Sequence, residues 1–125
     1  MNANSRIDDI IIFIFSNIFI IIIYEIILYK MVYYNMNDHR LIGFEASNKK
    51  NKMYDAILLS NNGKYIRIPF GDKRFENYQD KTRMNLYPHL IHGDKERRKR
   101  YQQRHKVFLK KGYYSPSYFS YYYLW

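Results

Sequence analysis

The sequence predicts an α+β fold: a small antiparallel β-hairpin or sheet, followed by a basic helix and a short aromatic C-terminal helix. Three observations predict it. Two short apolar runs flank the turn sequence Ser60-Asn61-Asn62-Gly63. A strongly basic run follows Asp94, a good helix cap. Ser115-Pro116 then opens an aromatic tail that ends at Trp125. The 125 residues allow one domain. The composition divides it into an apolar N-terminal segment, 1–36, and a basic, aromatic-rich domain, 37–125.

The N-terminal segment contains the run IIIFIFSNIFIIIIYEIILY at 10–29. Twenty residues at helical rise cover about 30 Å, the thickness of a bilayer's hydrocarbon core. Tyr24, Glu25 and Tyr29 stand near one end, where side chains reach the membrane interface. On this reading 10–29 is a transmembrane helix. Lys30, Arg40, Lys49, Lys50 and Lys52, which follow it, place the remainder on the cytoplasmic side. A cleaved signal peptide fits less well, because Arg6 is offset by Asp8 and Asp9 and no small-residue cleavage site follows. A competing reading is upstream AT-rich DNA read as codons, which yields isoleucine, phenylalanine, tyrosine and asparagine. The protein would then start at Met31 or Met36.

In the basic domain, residues 53–59 (MYDAILL) and 64–70 (KYIRIPF) read as the two strands of a hairpin. Asn and Gly between them tolerate the positive φ of hairpin turns. Ile66, Ile68 and Phe70 alternate with Tyr65, Arg67 and Pro69, so one face is apolar. Pro69 lacks a donor and argues for an edge strand or the strand's end. Residues 41–44 are a candidate third strand. Residues 75–93 read as irregular, with Tyr78, Tyr87 and Pro88 as packing points. A helix is expected from Lys95 to about Leu109, ended by Gly112. Its stripe of Tyr101, His105 and Phe108 faces inward. In the last helix Tyr118, Tyr121, Tyr122 and Trp125 fall on one face, expected to pack in the core rather than to stack on bases.

Charge carries most of the functional information. The chain has a formal charge of +10. Residues 1–30 hold two basic and three acidic groups, a net of −1, so residues 31–125 carry +11. Such a field draws a polyanion, nucleic acid foremost. Residues 94–111 contain nine Lys or Arg against two acids, so charge along the helix repels unless something outside neutralises it. Arg97, Arg98, Lys99, Arg100 and Arg104 are the expected phosphate contacts. The bland alternative is a solvated helix that is merely basic.

The absence of cysteine excludes disulfides, thiolate zinc sites and cysteine nucleophiles. No nucleophile elbow, phosphate loop or zincin pattern occurs. His89, His92 and Asp94 form the one constellation resembling a site, a weak metal candidate on a loop. Asp94 already serves as a cap. No enzyme and no cofactor are expected; a metal-dependent hydrolase built on those three residues is the remote alternative.

The stretches PFGDKRF (69–75), YQDKT (78–82) and RRKRYQQRH (97–105), with the ending from Ser115-Pro116 through Tyr118-Phe119 to Leu124-Trp125, resemble a family of small basic proteins. Its members belong to large double-stranded DNA viruses, including giant viruses of amoebae, with distant relatives in tailed phages. The resemblance covers about 41–125 and leaves out the apolar run. No function is established for that family, so it implies no catalytic residue. It implies a viral protein of the virion or the infected cell. Ile91 stands between His89 and His92 where the family commonly has an acid, and Met84-Asn85 replaces a glycine-containing stretch.

The combined expectation is a non-specific nucleic-acid binder. The alternative is a single-pass membrane protein, if 10–29 is translated, whose cytoplasmic basic domain contacts anionic lipid or a capsid layer. The oligomeric state is left open.

Overall fold

The computed structural model describes residues 3–30 and 32–125, with side chains over 6–23 and 32–125. The chain divides into two compact units, 1–31 and 32–125.

The first unit holds one helix, α1 (Ala3–Lys30). Its run of isoleucine and phenylalanine contains neither glycine nor proline to interrupt it. Every described side chain from 6 to 23 is exposed. Among the described residues no helix is long and apolar enough to cross a membrane. The described stretch begins with Arg6, Asp8 and Asp9. The expected span 10–29 continues to Tyr29, and the side chains of 24–29 lie outside the described residues.

The second unit is built on a three-stranded antiparallel sheet in the order β2 (His39–Ala46), β3 (Tyr54–Ser60), β4 (Tyr65–Phe70). The β3–β4 hairpin turns through Ser60 to Lys64, with Gly63 at φ +82°. Gly63 donates its amide to the Ser60 carbonyl at 2.9 Å. Pro69 lies on an outer strand, opposite Asp55, where a missing donor breaks no ladder. The third strand is longer than 41–44 and contains a bulge between Leu41 and Gly43. The bulge explains how Leu41, opposite Leu58, and Phe44, opposite Ala56, both turn to the core. Strict alternation would send residues three apart to opposite faces. Ile42 is the extra residue and is exposed.

The two faces of the sheet differ. Tyr54, Ala56, Leu58, Ile68 and Phe70 form the core together with Met53, Phe119 and Leu124. The other face carries an ionic ladder, in which Arg67 of β4 reaches Asp55 of β3 and Glu45 of β2. Asp55 is buried, and the Arg67 guanidinium compensates part of its lost hydration.

Helix α2 spans Lys95–His105. The Asp94 carboxylate accepts from the amides of Glu96 at 2.9 Å and Arg97 at 3.2 Å, as its sequence position predicts. The α-helical part is one turn shorter than expected: Lys106–Phe108 tightens to a 3₁₀ turn and Leu109 is extended. The chain then forms β5 (Tyr113–Tyr114), which pairs with β1 (Tyr34–Asn35) in a short ribbon.

Ser115 caps α3 (Pro116–Phe119) by accepting from the Tyr118 amide at 3.1 Å. A π-helical turn, Ser120–Leu124, follows. This turn changes the expected aromatic face only in part: Tyr118 and Trp125 do pack against the core. The wider π turn brings positions five apart into line, so Phe119 and Leu124 are the residues that enter the core, both fully buried. Tyr122 is left exposed, and Trp125 leaves the tail to pack against α2.

Candidate nucleic-acid interface

Helix α2 is held on the domain by its inner side. Tyr101 is stacked between His105 and Trp125, with ring centroids 4.0 and 4.2 Å away and planes within 13° and 4°. Burial pushes the Tyr101 phenol up to about 12, against the pull of the Arg104 charge and the Ser120 hydroxyl. Burial also holds the His105 imidazole below its ordinary value, with the charge of Arg104 adding to the effect. His92 lies beside Trp125, with ring centroids 5.2 Å apart and planes tilted by 53°. The tail that supplies Trp125 is fastened by backbone bonds. Tyr78 and Gln79 donate to the Leu124 carbonyl, each at 3.1 Å, and Lys81 donates to that of Tyr123 at 2.8 Å. The Gln79 side chain donates to the Trp125 carbonyl at 2.8 Å.

The five expected phosphate ligands divide into two sets. Arg97 forms an ion pair with Glu76 at 3.0 Å. Arg98 lies over the ring of Tyr78 at 4.8 Å, and its Nε is buried without a hydrogen-bond partner. Both are partly turned inward. Lys99, Arg100 and Arg104 are exposed, as is Lys95, and none forms an ion pair among the described residues. The outward charge of α2 is therefore carried by Lys95, Lys99, Arg100 and Arg104. Lys95 was not among the expected ligands; its place just after the cap gave no signal that separates it from an ordinary solvated lysine.

Beside α2 opens a cleft of about 630 Å³, between the helix, the loop after β4 and the C-terminal turn. Arg97, Arg104, Tyr101 and Trp125 line it with Lys52 and Phe75. Its two acids, Asp72 and Glu76, are each engaged by arginine. The Arg74 guanidinium holds the Asp72 carboxyl down to about 2, helped by the Arg74 amide and by the charge of Lys52. Lys52 and Arg104 stand on this partly aromatic wall outside any ion pair among the described residues, Lys52 acting on Asp72 through its charge alone.

The stretches behind the viral resemblance turn out to include much structural chemistry. In YQDKT, the Asp80 carboxylate accepts from the hydroxyl of core residue Tyr54 at 2.5 Å and from the Thr82 amide and hydroxyl at 2.8 and 2.5 Å. Burial and the Asp80 carboxylate push the Tyr54 phenol up to about 12. In PFGDKRF, Gly71 adopts φ +73°, and a Cβ there would meet Met53 Sδ at 2.9 Å and Leu124 Cδ1 at 3.0 Å.

The weak metal candidates are not brought together. Among the described residues no three His, Cys, Asp or Glu side chains form a group that could hold a metal. His89 is exposed. His92 Nδ1 accepts the Asp94 amide at 2.8 Å, which leaves its proton on the buried Nε2. Burial, followed by the Arg97 charge, lowers the His92 imidazole. Asp94 is used as the cap, and the amides it receives, Arg97 first, hold its carboxyl below the usual range.

No family model matches the chain, and neither a curated protein nor a solved structure matches it.

Proposed function

We propose that the chain binds nucleic acid without sequence preference, with α2 lying against the phosphate backbone. One observation carries this reading. The helix is clamped on its inner side by the Tyr101 stack and the Asp94 cap, while Lys95, Lys99, Arg100 and Arg104 are exposed and outside any ion pair among the described residues. Pre-placed cations on a rigid helix lose little conformational freedom on meeting phosphate. The resemblance to small basic proteins of large DNA viruses suggests the setting, a virion or an infected cell, and no catalytic step is proposed.

The test is anisotropy of a labelled DNA duplex titrated with the full chain in non-ionic detergent. Four phosphate contacts give a slope of roughly −3.6 in log affinity against log salt, a loss of about 100-fold between 50 and 200 mM. Arg100→Gln with Arg104→Gln should lower the slope by about two. A duplex affinity that is flat with salt overturns the reading.

A second reading concerns α1. All of its described side chains are exposed, including the apolar run from Ile10 to Ile23. An exposed surface of that kind favours lipid. We propose it as a membrane-associated segment that holds the basic domain beside anionic headgroups or a capsid layer. Carbonate extraction of chains begun at Met1 and at Met31 tests this: the first should stay with the membrane and the second should be released. Release of both removes the reading.

A further inference from the structure

A second basic and aromatic surface lies apart from the outward residues of α2. Tyr118 and Tyr122, 4.7 Å apart between ring centroids, separate two hollows of about 540 and 400 Å³. Lys81 and Arg83 line the first hollow, and Lys110 and Lys111 the second. Among the described residues no carboxylate lines either. Tyr122 is 48% exposed although it sits in a well-packed turn. It belongs to the π-helical segment, a geometry that recurs at functional sites.

The cations are held by structured backbone. Thr82 is buried and fixed by Asp80, and the flanking residues are Lys81 and Arg83. The Lys81 amide is bonded to the tail at Tyr123. Arg83 adopts φ +67°, a left-handed conformation that costs a non-glycine residue energy, held by the ordered loop around it. On the other bank, Lys110 lies 4.2 Å over the ring of Tyr113. Lys81, Arg83, Lys110 and Lys111 have no ion pair among the described residues.

We propose that this ridge binds single-stranded nucleic acid, with an unpaired base stacked on Tyr122 and the adjoining phosphates held by Lys81 and Arg83 on one bank and Lys110 and Lys111 on the other. The preference for single strands follows from the ring. A duplex hides its base faces inside the stack, whereas an unpaired base presents a face to an aromatic side chain. The alternation of ring and cation across the two hollows matches the alternation of base and phosphate along a strand. The inference shares the polyanion chemistry of α2 but stands on different residues, so either can fail without the other.

The test uses the full chain in non-ionic detergent with labelled oligodeoxythymidine and a duplex of equal length, each read by anisotropy. Tyr122→Ala should weaken single-strand binding about tenfold, the loss of one stacked base, and change duplex binding by less than about twofold. Tyr122→Phe should retain the affinity, since stacking needs the ring and not the hydroxyl. Lys81→Gln with Arg83→Gln should lower the single-strand salt slope by about 1.4. This pair is exposed, so it tests the ridge even if Tyr122→Ala disturbs the turn. Single-strand affinity unmoved by both the alanine and the glutamine variants overturns the proposal. So does a Tyr122→Ala defect in binding phosphatidylserine vesicles with no defect on the oligonucleotide, which would assign the ridge to lipid.

Discussion

The Tyr54–Asp80 contact joins the core of the sheet to the loop that carries Lys81 and Arg83, and removing it should be costly. Asp80→Ala deletes the acceptor of three hydrogen bonds, from the Tyr54 hydroxyl and from the Thr82 amide and hydroxyl. Tyr54 and Thr82 are both buried, so their donors find little replacement water. A buried group left unpaired costs about 1–3 kcal/mol. Asp80 itself is half-buried, and solvent entering the vacated space offsets part of the loss. The net expectation is about 2–4 kcal/mol, or a fall in melting temperature of roughly 10–30 °C for a domain of this size. Tyr54→Phe should cost about 1–2 kcal/mol, because the Leu86 amide also loses the hydroxyl it donates to at 3.1 Å. The two changes share one bond, so the double variant should be less damaged than the sum by about 1–2 kcal/mol. Urea denaturation of the four chains, followed by far-ultraviolet circular dichroism, measures the cycle. A loss below about 0.5 kcal/mol for Asp80→Ala would refute the reasoning, as would additivity of the pair to within about 0.3 kcal/mol.

Three further outcomes are expected. Gly71→Ala should destabilise by about 2–4 kcal/mol, since it combines a left-handed backbone with a clash against Met53 and Leu124. Gly63→Ala, with a similar φ but open space around it, should cost only about 1 kcal/mol; equal melting temperatures for the two variants would contradict this. Asp72, held at about 2 in the fold against an ordinary 3.8, contributes stability that is complete above its ordinary value and is lost as pH falls toward 2. Asp72→Asn should flatten acid unfolding in that window, and an unchanged acid profile would count against the Arg74 contact. A chain begun at Met36 lacks Tyr34 and Asn35, and with them the pairing to β5; it should melt several degrees below one begun at Met31, and identical melting would show that the ribbon adds no stability.

The parts of the fold that could be read in advance are those written in neighbouring residues. Turn residues at 60–63 between two apolar runs specify the hairpin, and Asp94 and Ser115 specify where two helices begin. What escaped depends on distant partners. Tyr34 meets Tyr114 across most of the domain's length, and strands of two residues are too short to show an alternating pattern. The π turn widens because Phe119 and Leu124 both find room in the same core, a tertiary demand that a regular helical count misses. The candidate surfaces show the same division. The charge run on α2 announced the helix, but not that Glu76 and Tyr78 would engage Arg97 and Arg98 and leave the other cations facing out. Lys81 and Arg83 gave no signal, because their neighbours Lys110 and Lys111 arrive from another part of the chain.

The bulge at Ile42 and the proline at position 69 interrupt the two outer strands of the sheet, one on each side. A second copy approaching either margin would meet a broken row of donors and acceptors rather than a template for another strand. Linear polymerisation through the backbone is thus obstructed at both ends. Under the proposed binding to nucleic acid, copies of this basic chain are brought to high local density, where such growth would otherwise be fastest. Under that proposal, blunt margins let many copies crowd along one strand while each domain keeps its own fold.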